Sequence, residues 1–143
     1  MSLRMVPNED QYLKTKIETA SPMQLIIIMY DGAIRFLKNA QVSYELRKRK
    51  QYDENLIRTK NILKELQLSL NFDAQPISNQ LYSLYDYMLR EISDAICNRK
   101  ENIIKLKKVL HMLSELRSAW EQIIEKAPVE KEKRNLENIS LSV

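Results

Sequence analysis

The chain has 143 residues with one glycine, four prolines and one cysteine, and 23 basic against 19 acidic residues give a net charge of +4. That length suits a single domain able to bury roughly two thirds of its unfolded surface, and so little glycine and proline excludes a turn-rich all-β fold. The lone Cys97 excludes an internal disulfide and fits a reducing cytosol. So mild a charge is only weak evidence for a polyanion partner, so no nucleic acid is expected, with a weak nucleic-acid or membrane-surface binder using Arg47–Lys50 as a third reading.

No apolar stretch follows a basic start, so no secretory signal is expected. Met1-Ser2-Leu3 reads as either a native start or an appended leader and carries no weight. The longest apolar run, Leu25–Tyr30, is far below the roughly 20 residues of a membrane span. A cytoplasmic protein without membrane insertion is expected.

Residues 1–20 are polar, with Tyr12 and Ile17 as apolar markers, and read as a short N-terminal helix or arm. The next segment holds a complete helix start. Ser21 can accept the Gln24 N–H while Gln24 reaches back to the Ser21 N–H, and Pro22 occupies the first helical position, where a missing N–H costs nothing. A helix is expected from Pro22 to about Lys50. One apolar row runs Leu25, Met29, Ala33, Phe36, Ala40, Tyr44 and a second runs Ile26, Tyr30, Ile34, Leu37. Two adjacent rows predict a helix covered on more than one side. Arg47-Lys48-Arg49-Lys50 would close it, where cations suit the negative end of the macrodipole.

Asp53 is the expected N-cap of a second long helix, about 54–70, with a seam of Leu56, Thr59, Leu63, Leu66 and Leu70. Asn71, Asp73 and Pro76 mark a turn. A third runs from about Ile77 to Cys97 on a stripe of Ile77, Leu81, Leu84, Met88, Ile92 and Ala95, flanked by Tyr85. A fourth covers about Lys100–Lys126, ends before Pro128, and carries Trp120 at the end of its core row. Four amphipathic helices on short connections imply antiparallel neighbours. The expected fold is therefore all-α, an antiparallel up-down four-helix bundle, with an arm over 1–20, the bundle over 21–127 and a charged, disordered tail over 128–143.

Reactive chemistry is scarce. His111 is the only histidine, so Cys–His and Ser–His pairs have little material. A carboxylate metal site in a bundle needs Glu-x-x-His, but Lys108 stands three residues before His111. One glycine cannot build a phosphate loop. No enzyme activity, metal or cofactor is expected, and the surface becomes the place to look for function.

That surface has a surplus. Ile26-Ile27-Ile28 spreads apolar side chains over about 200° of helix, wider than a two-sided seam needs. The arm, through Tyr12 and Ile17, could cover them, or a partner could. Tyr82 and Tyr87 lie off the apolar row of their helix, and exposed tyrosine suits partner recognition. Gly32, unfavourable in mid-helix, points to close helix packing.

Three blocks carry a resemblance: Ala20-Ser21-Pro22-Met23-Gln24-Leu25-Ile26 continuing to Met29-Tyr30-Asp31-Gly32-Ala33; Leu84-Tyr85-Asp86-Tyr87-Met88; and Leu116 through Ala119-Trp120 to Ile123. With Tyr12 upstream, the chain resembles the FliS family of flagellar export chaperones over about residues 12–124. Ile27-Ile28 departs from it, since relatives often place something more polar first. The resemblance implies a cytosolic bundle that binds the disordered C-terminal segment of flagellin, prevents premature polymerisation, and helps delivery to the flagellar export gate. Partner-binding candidates are then Tyr12, Ile17, Leu25, Ile26, Ile27, Tyr30, Tyr82, Tyr87 and Met88. Ser21, Pro22, Gln24, Asp31, Gly32, Tyr85 and Trp120 are expected to be architectural. The alternative reading is a helical adaptor or regulatory protein with a different protein partner.

Overall fold

The computed structural model describes residues 6–73, 77–98 and 103–141, and their regular structure is helical throughout. Five helices follow one another among these residues: α1 (Val6–Thr19), α2 (Pro22–Glu45), α3 (Arg49–Leu68), α4 (Ser78–Cys97) and α5 (Ile103–Leu141). Pro76 and residues 100–102, assigned from the sequence to a turn and a helix start, lie outside the described residues. The chain forms two compact units, one of residues 29–118 and one of residues 1–28 with 119–143.

Within the unit of residues 29–118, contacts between helices establish the direction of each. Gly32 faces Ile62, Phe36 lies under Arg58, and Tyr44 packs on Tyr52, so α3 runs antiparallel to α2. The Tyr52 hydroxyl donates to the Ala95 carbonyl at 3.0 Å and Gln67 Nε2 donates to the Tyr82 carbonyl at 3.3 Å, so α4 runs antiparallel to α3. Lys108 stands over Tyr87, and Lys105 bonds Asp94 at 2.6 Å, so α5 descends along α4. The up-down order expected from the short connections is the order observed.

The core is built from the stripes. Tyr30, Ala33, Leu37 and Ala40 of α2, Leu56 and Leu63 of α3, Met88, Ile92 and Ala95 of α4, and Leu106, Val109 and Leu113 of α5 have no exposed surface. Thr59 is buried in the α3 seam because its hydroxyl bonds back to the Asn55 carbonyl at 2.8 Å, satisfying itself within one turn. At the α3–α4 turn the Asp73 N–H donates to Asn71 Oδ1 at 3.1 Å, and Ser78 Oγ donates to the Asn71 carbonyl at 2.8 Å. The first is the local side-chain bond for which asparagine is favoured in turns.

The helix boundaries differ from expectation in two places. α2 stops at Glu45, not near Lys50. The Lys48 N–H returns to the Ser43 carbonyl at 2.8 Å and the Arg47 N–H to the Tyr44 carbonyl at 3.1 Å, with Arg47 at φ 57. This is a Schellman closure, in which the left-handed residue is usually glycine. Arginine there costs about 1 kcal/mol, and the bonds it closes hold it. The basic run is therefore a turn and the start of α3, and Asp53 lies inside that helix rather than capping it. Lys48 stands at the cap with no side-chain bond. The second difference is α5, which continues through Pro128 to Leu141 instead of ending near Lys126. Ala127 and the Glu/Lys/Arg run of 130–134 on either side of the proline are strong helix formers, which favours helix on both sides of it.

Candidate functional site

In the unit of residues 1–28 and 119–143, the capping box at the head of α2 is formed. The Gln24 N–H donates to Ser21 Oγ at 3.2 Å, and Gln24 Oε1 accepts from the Ser21 N–H at 2.9 Å. Pro22 is the first residue of α2. α2 is thereby started at a fixed residue, and its first turns present Leu25, Ile26, Ile27 and Ile28, all only half-buried. α1 leaves Tyr12 71% and Ile17 43% exposed, and Leu13 is exposed beside them. Tyr12 and Ile17 are thus themselves open to solvent, while Ile26, Ile27 and Ile28 keep only part of their surface exposed. α1 is short and mostly polar, with little apolar surface to bury. In the same unit Trp120 and Ile124 are half-buried and Ile123 is exposed. Tyr12, Leu13, Ile17 and Ile123 are thus the exposed large apolar side chains described in this unit. Leu13 was not among the residues expected there, although its i, i+4 spacing to Ile17 is the signal that would have found it.

The unit of residues 29–118 explains the Tyr30-Asp31-Gly32 block. The Tyr30 and Tyr85 hydroxyls lie 2.6 Å apart, tying α2 to α4. Asp31 takes the Arg117 fork, Nε on Oδ1 and Nη2 on Oδ2 at 3.5 Å, tying α2 to α5. A Cβ on Gly32 would stand 3.2 Å from Ile62 Cδ1, so glycine permits the close approach of α3. Consecutive helical residues point about 100° apart, so three neighbours address three different helices. Tyr30, taken from the sequence as a partner contact, is instead an interior residue with no exposed surface, and so is Met88. Burial and the coulombic and hydrogen-bonded presence of Tyr30 push the Tyr85 phenol far above its ordinary range, so it stays neutral.

The other candidates on α4 do not converge. Tyr82 is 45% exposed and packs against Phe72, ring centroids 6.0 Å apart, at the α3–α4 turn. Tyr87 is half-buried, with Lys108 Nζ 5.5 Å from its ring centroid. They are five residues apart on one helix and look in different directions. Arg117, the partner of Asp31, was not legible in the sequence, because a pair 86 residues apart has no local signature.

His111 is exposed and pairs with Glu115 at 3.0 Å. Among the described residues no three His, Cys, Asp or Glu stand close enough to hold a metal ion, and no helix is long and apolar enough to cross a membrane.

The described residues define an antiparallel helical bundle whose helices are tied together by Tyr30–Tyr85 and Asp31–Arg117 and which leaves large apolar side chains exposed. The chain belongs to the FliS family, non-enzymatic flagellar secretion chaperones; the model of that family, described as flagellar protein FliS, matches residues 5–127. The chain is 32% identical over 114 residues to the flagellar secretion chaperone FliS of Bacillus subtilis (strain 168), covering 80% of this chain and 84% of that one. It is 31% identical over 118 residues to that of Salmonella typhimurium (strain LT2), covering 80% and 85%. A solved structure described as a flagellar chaperone from bacteria shares the fold, with TM-score 0.68 and 22% identity over 85% of this chain and 98% of that one.

Proposed function

We propose that the chain is a cytosolic export chaperone that binds the disordered C-terminal segment of flagellin, keeps it from polymerising early, and helps bring it to the flagellar export gate. Family membership supports the class. The observation that carries the reading is the apolar surface of the unit of residues 1–28 and 119–143, where Leu25–Ile28 remain half-buried and Tyr12, Leu13 and Ile17 are exposed. A disordered amphipathic segment can order on such a surface by laying down apolar side chains at i, i+3, i+4 and i+7. Ordering opposes binding, so affinity per unit area is modest while the surface covered is large. Occupying the segment that flagellin would use for assembly blocks assembly, and no covalent step is needed.

Isothermal titration of the full chain with a peptide of the cognate flagellin C-terminus tests this. Binding at about micromolar affinity or tighter, with a negative heat-capacity change, is expected. No binding would overturn the reading and leave a helical adaptor with another partner in its place.

A further inference from the structure

A cleft of about 560 Å³ opens at the α2–α3 turn and is lined by none of the residues just invoked; Arg47, Lys48, Arg49, Tyr44, Tyr52 and Glu45 stand in its lining. We propose that this cleft docks an acidic segment of a protein partner, a peptide presenting carboxylates beside its own backbone N–H groups.

The charges are the first reason. Arg47, Lys48 and Arg49 form no ion pair with any described residue, whereas the next cation, Lys50, stands 4.0 Å from Glu54. Three adjacent cations on one cleft repel one another, and a ligand carboxylate relieves that repulsion. The second reason is Arg47 itself. It holds the left-handed position at φ 57, where glycine would fit without strain, so a cation is kept at the rim against its backbone preference.

The remaining lining selects the ligand class. Tyr44 packs on the buried Tyr52 at 5.6 Å between ring centroids and is itself only half-buried, and an inorganic anion has no use for its remaining apolar face. Glu45 repels any anion in proportion to its charge density and accepts a peptide N–H, so a peptide with N–H donors beside its carboxylates suits the lining better than a dense phosphate backbone does. The volume lies within the range of sites that take a few side chains. A nucleic-acid surface would need a broader basic stripe than one turn, and the whole chain has a net charge of only +4.

The test is fluorescence anisotropy on the full chain. The probes are a short labelled peptide rich in glutamate and aspartate with one central tyrosine, its glutamine/asparagine counterpart, and labelled oligothymidylate. The acidic peptide is expected to bind saturably and to weaken as salt rises. Its neutral counterpart should bind at least about tenfold more weakly, and Arg47→Glu/Arg49→Glu should cost a similar factor. Arg47→Gly/Arg49→Gln, which suits the turn, should also weaken binding while retaining the helical circular dichroism. Both variants should bind the flagellin peptide as the parent does, which separates this site from the proposed chaperone surface. Equal affinity for the neutral peptide, tighter binding of oligothymidylate, no saturable binding, or unchanged binding by the variants would overturn the proposal. A parallel loss of flagellin-peptide binding would also overturn it as a separate site.

Discussion

Tyr30, Asp31 and Gly32 are adjacent in the chain, yet each is held by a different helix, through Tyr85, Arg117 and Ile62. Tyr30→Phe strands the buried Tyr85 hydroxyl and should lower unfolding stability by about 1–3 kcal/mol in a denaturant titration. Adding Tyr85→Phe removes the stranded group, so the double variant should lose less than the sum of the two singles. Gly32→Ala should behave differently. The added Cβ meets only the far end of Ile62, a half-buried side chain that can yield. The gain in helix propensity, about 1 kcal/mol before that adjustment, should leave a small net stabilisation. Arg47→Gly should also stabilise, by about 1 kcal/mol, by relieving the left-handed arginine. Residue types and periodicity gave Gly32 and Tyr85 their architectural roles. They could not show that Tyr30 is interior, because a tyrosine on an apolar row reads alike whether a buried hydroxyl partner awaits it or not.

At the scale of elements, the stripes of α3 and α4 were legible because their apolar residues recur at threes and fours with little competing hydrophobicity. The head of α2 was legible because Ser21, Pro22 and Gln24 form a cap on local rules alone. Ser21→Ala should weaken that cap by about 1 kcal/mol, seen as faster amide exchange in the first turn of α2. The end of α2 was not legible. A Schellman closure is usually announced by glycine, and here an arginine inside a basic run takes that place. The continuation of α5 past Pro128 was likewise hidden by a residue that normally stops helices. Between α4 and α5, the hydrogen bond from Lys105, then that from Asn98, then the Lys105 charge hold the Asp94 carboxyl below its ordinary 3.8, and the Asp94 hydrogen bond raises Lys105 above 10.5. A lowered carboxyl stabilises the fold above its unfolded value and loses that contribution as pH falls through the lowered one. A raised lysine stabilises below its unfolded value and loses that as pH rises through the raised one. The pair therefore contributes fully across neutral pH. Asp94→Asn should lower the thermal midpoint slightly at pH 7, and the deficit should vanish in strongly acidic solution.

For the whole molecule, both units leave apolar side chains in reach of solvent; the bundle of residues 29–118 buries Tyr30, Tyr85 and Met88, and the unit of residues 1–28 and 119–143 exposes Tyr12, Leu13, Ile17 and Ile123 on its surface. The sequence pointed to that surface through its surplus of isoleucine. It could not say whether α1 hides it, because a short helix with few apolar residues has no strong preference either way. Amide hydrogen exchange of the full chain, with and without a saturating flagellin C-terminal peptide, addresses the account at this scale most directly. Protection is expected over α1 and the first turns of α2, with the α2–α3 turn unchanged. Exchange that is unaltered at α1 and the head of α2 when the peptide is present would contradict it.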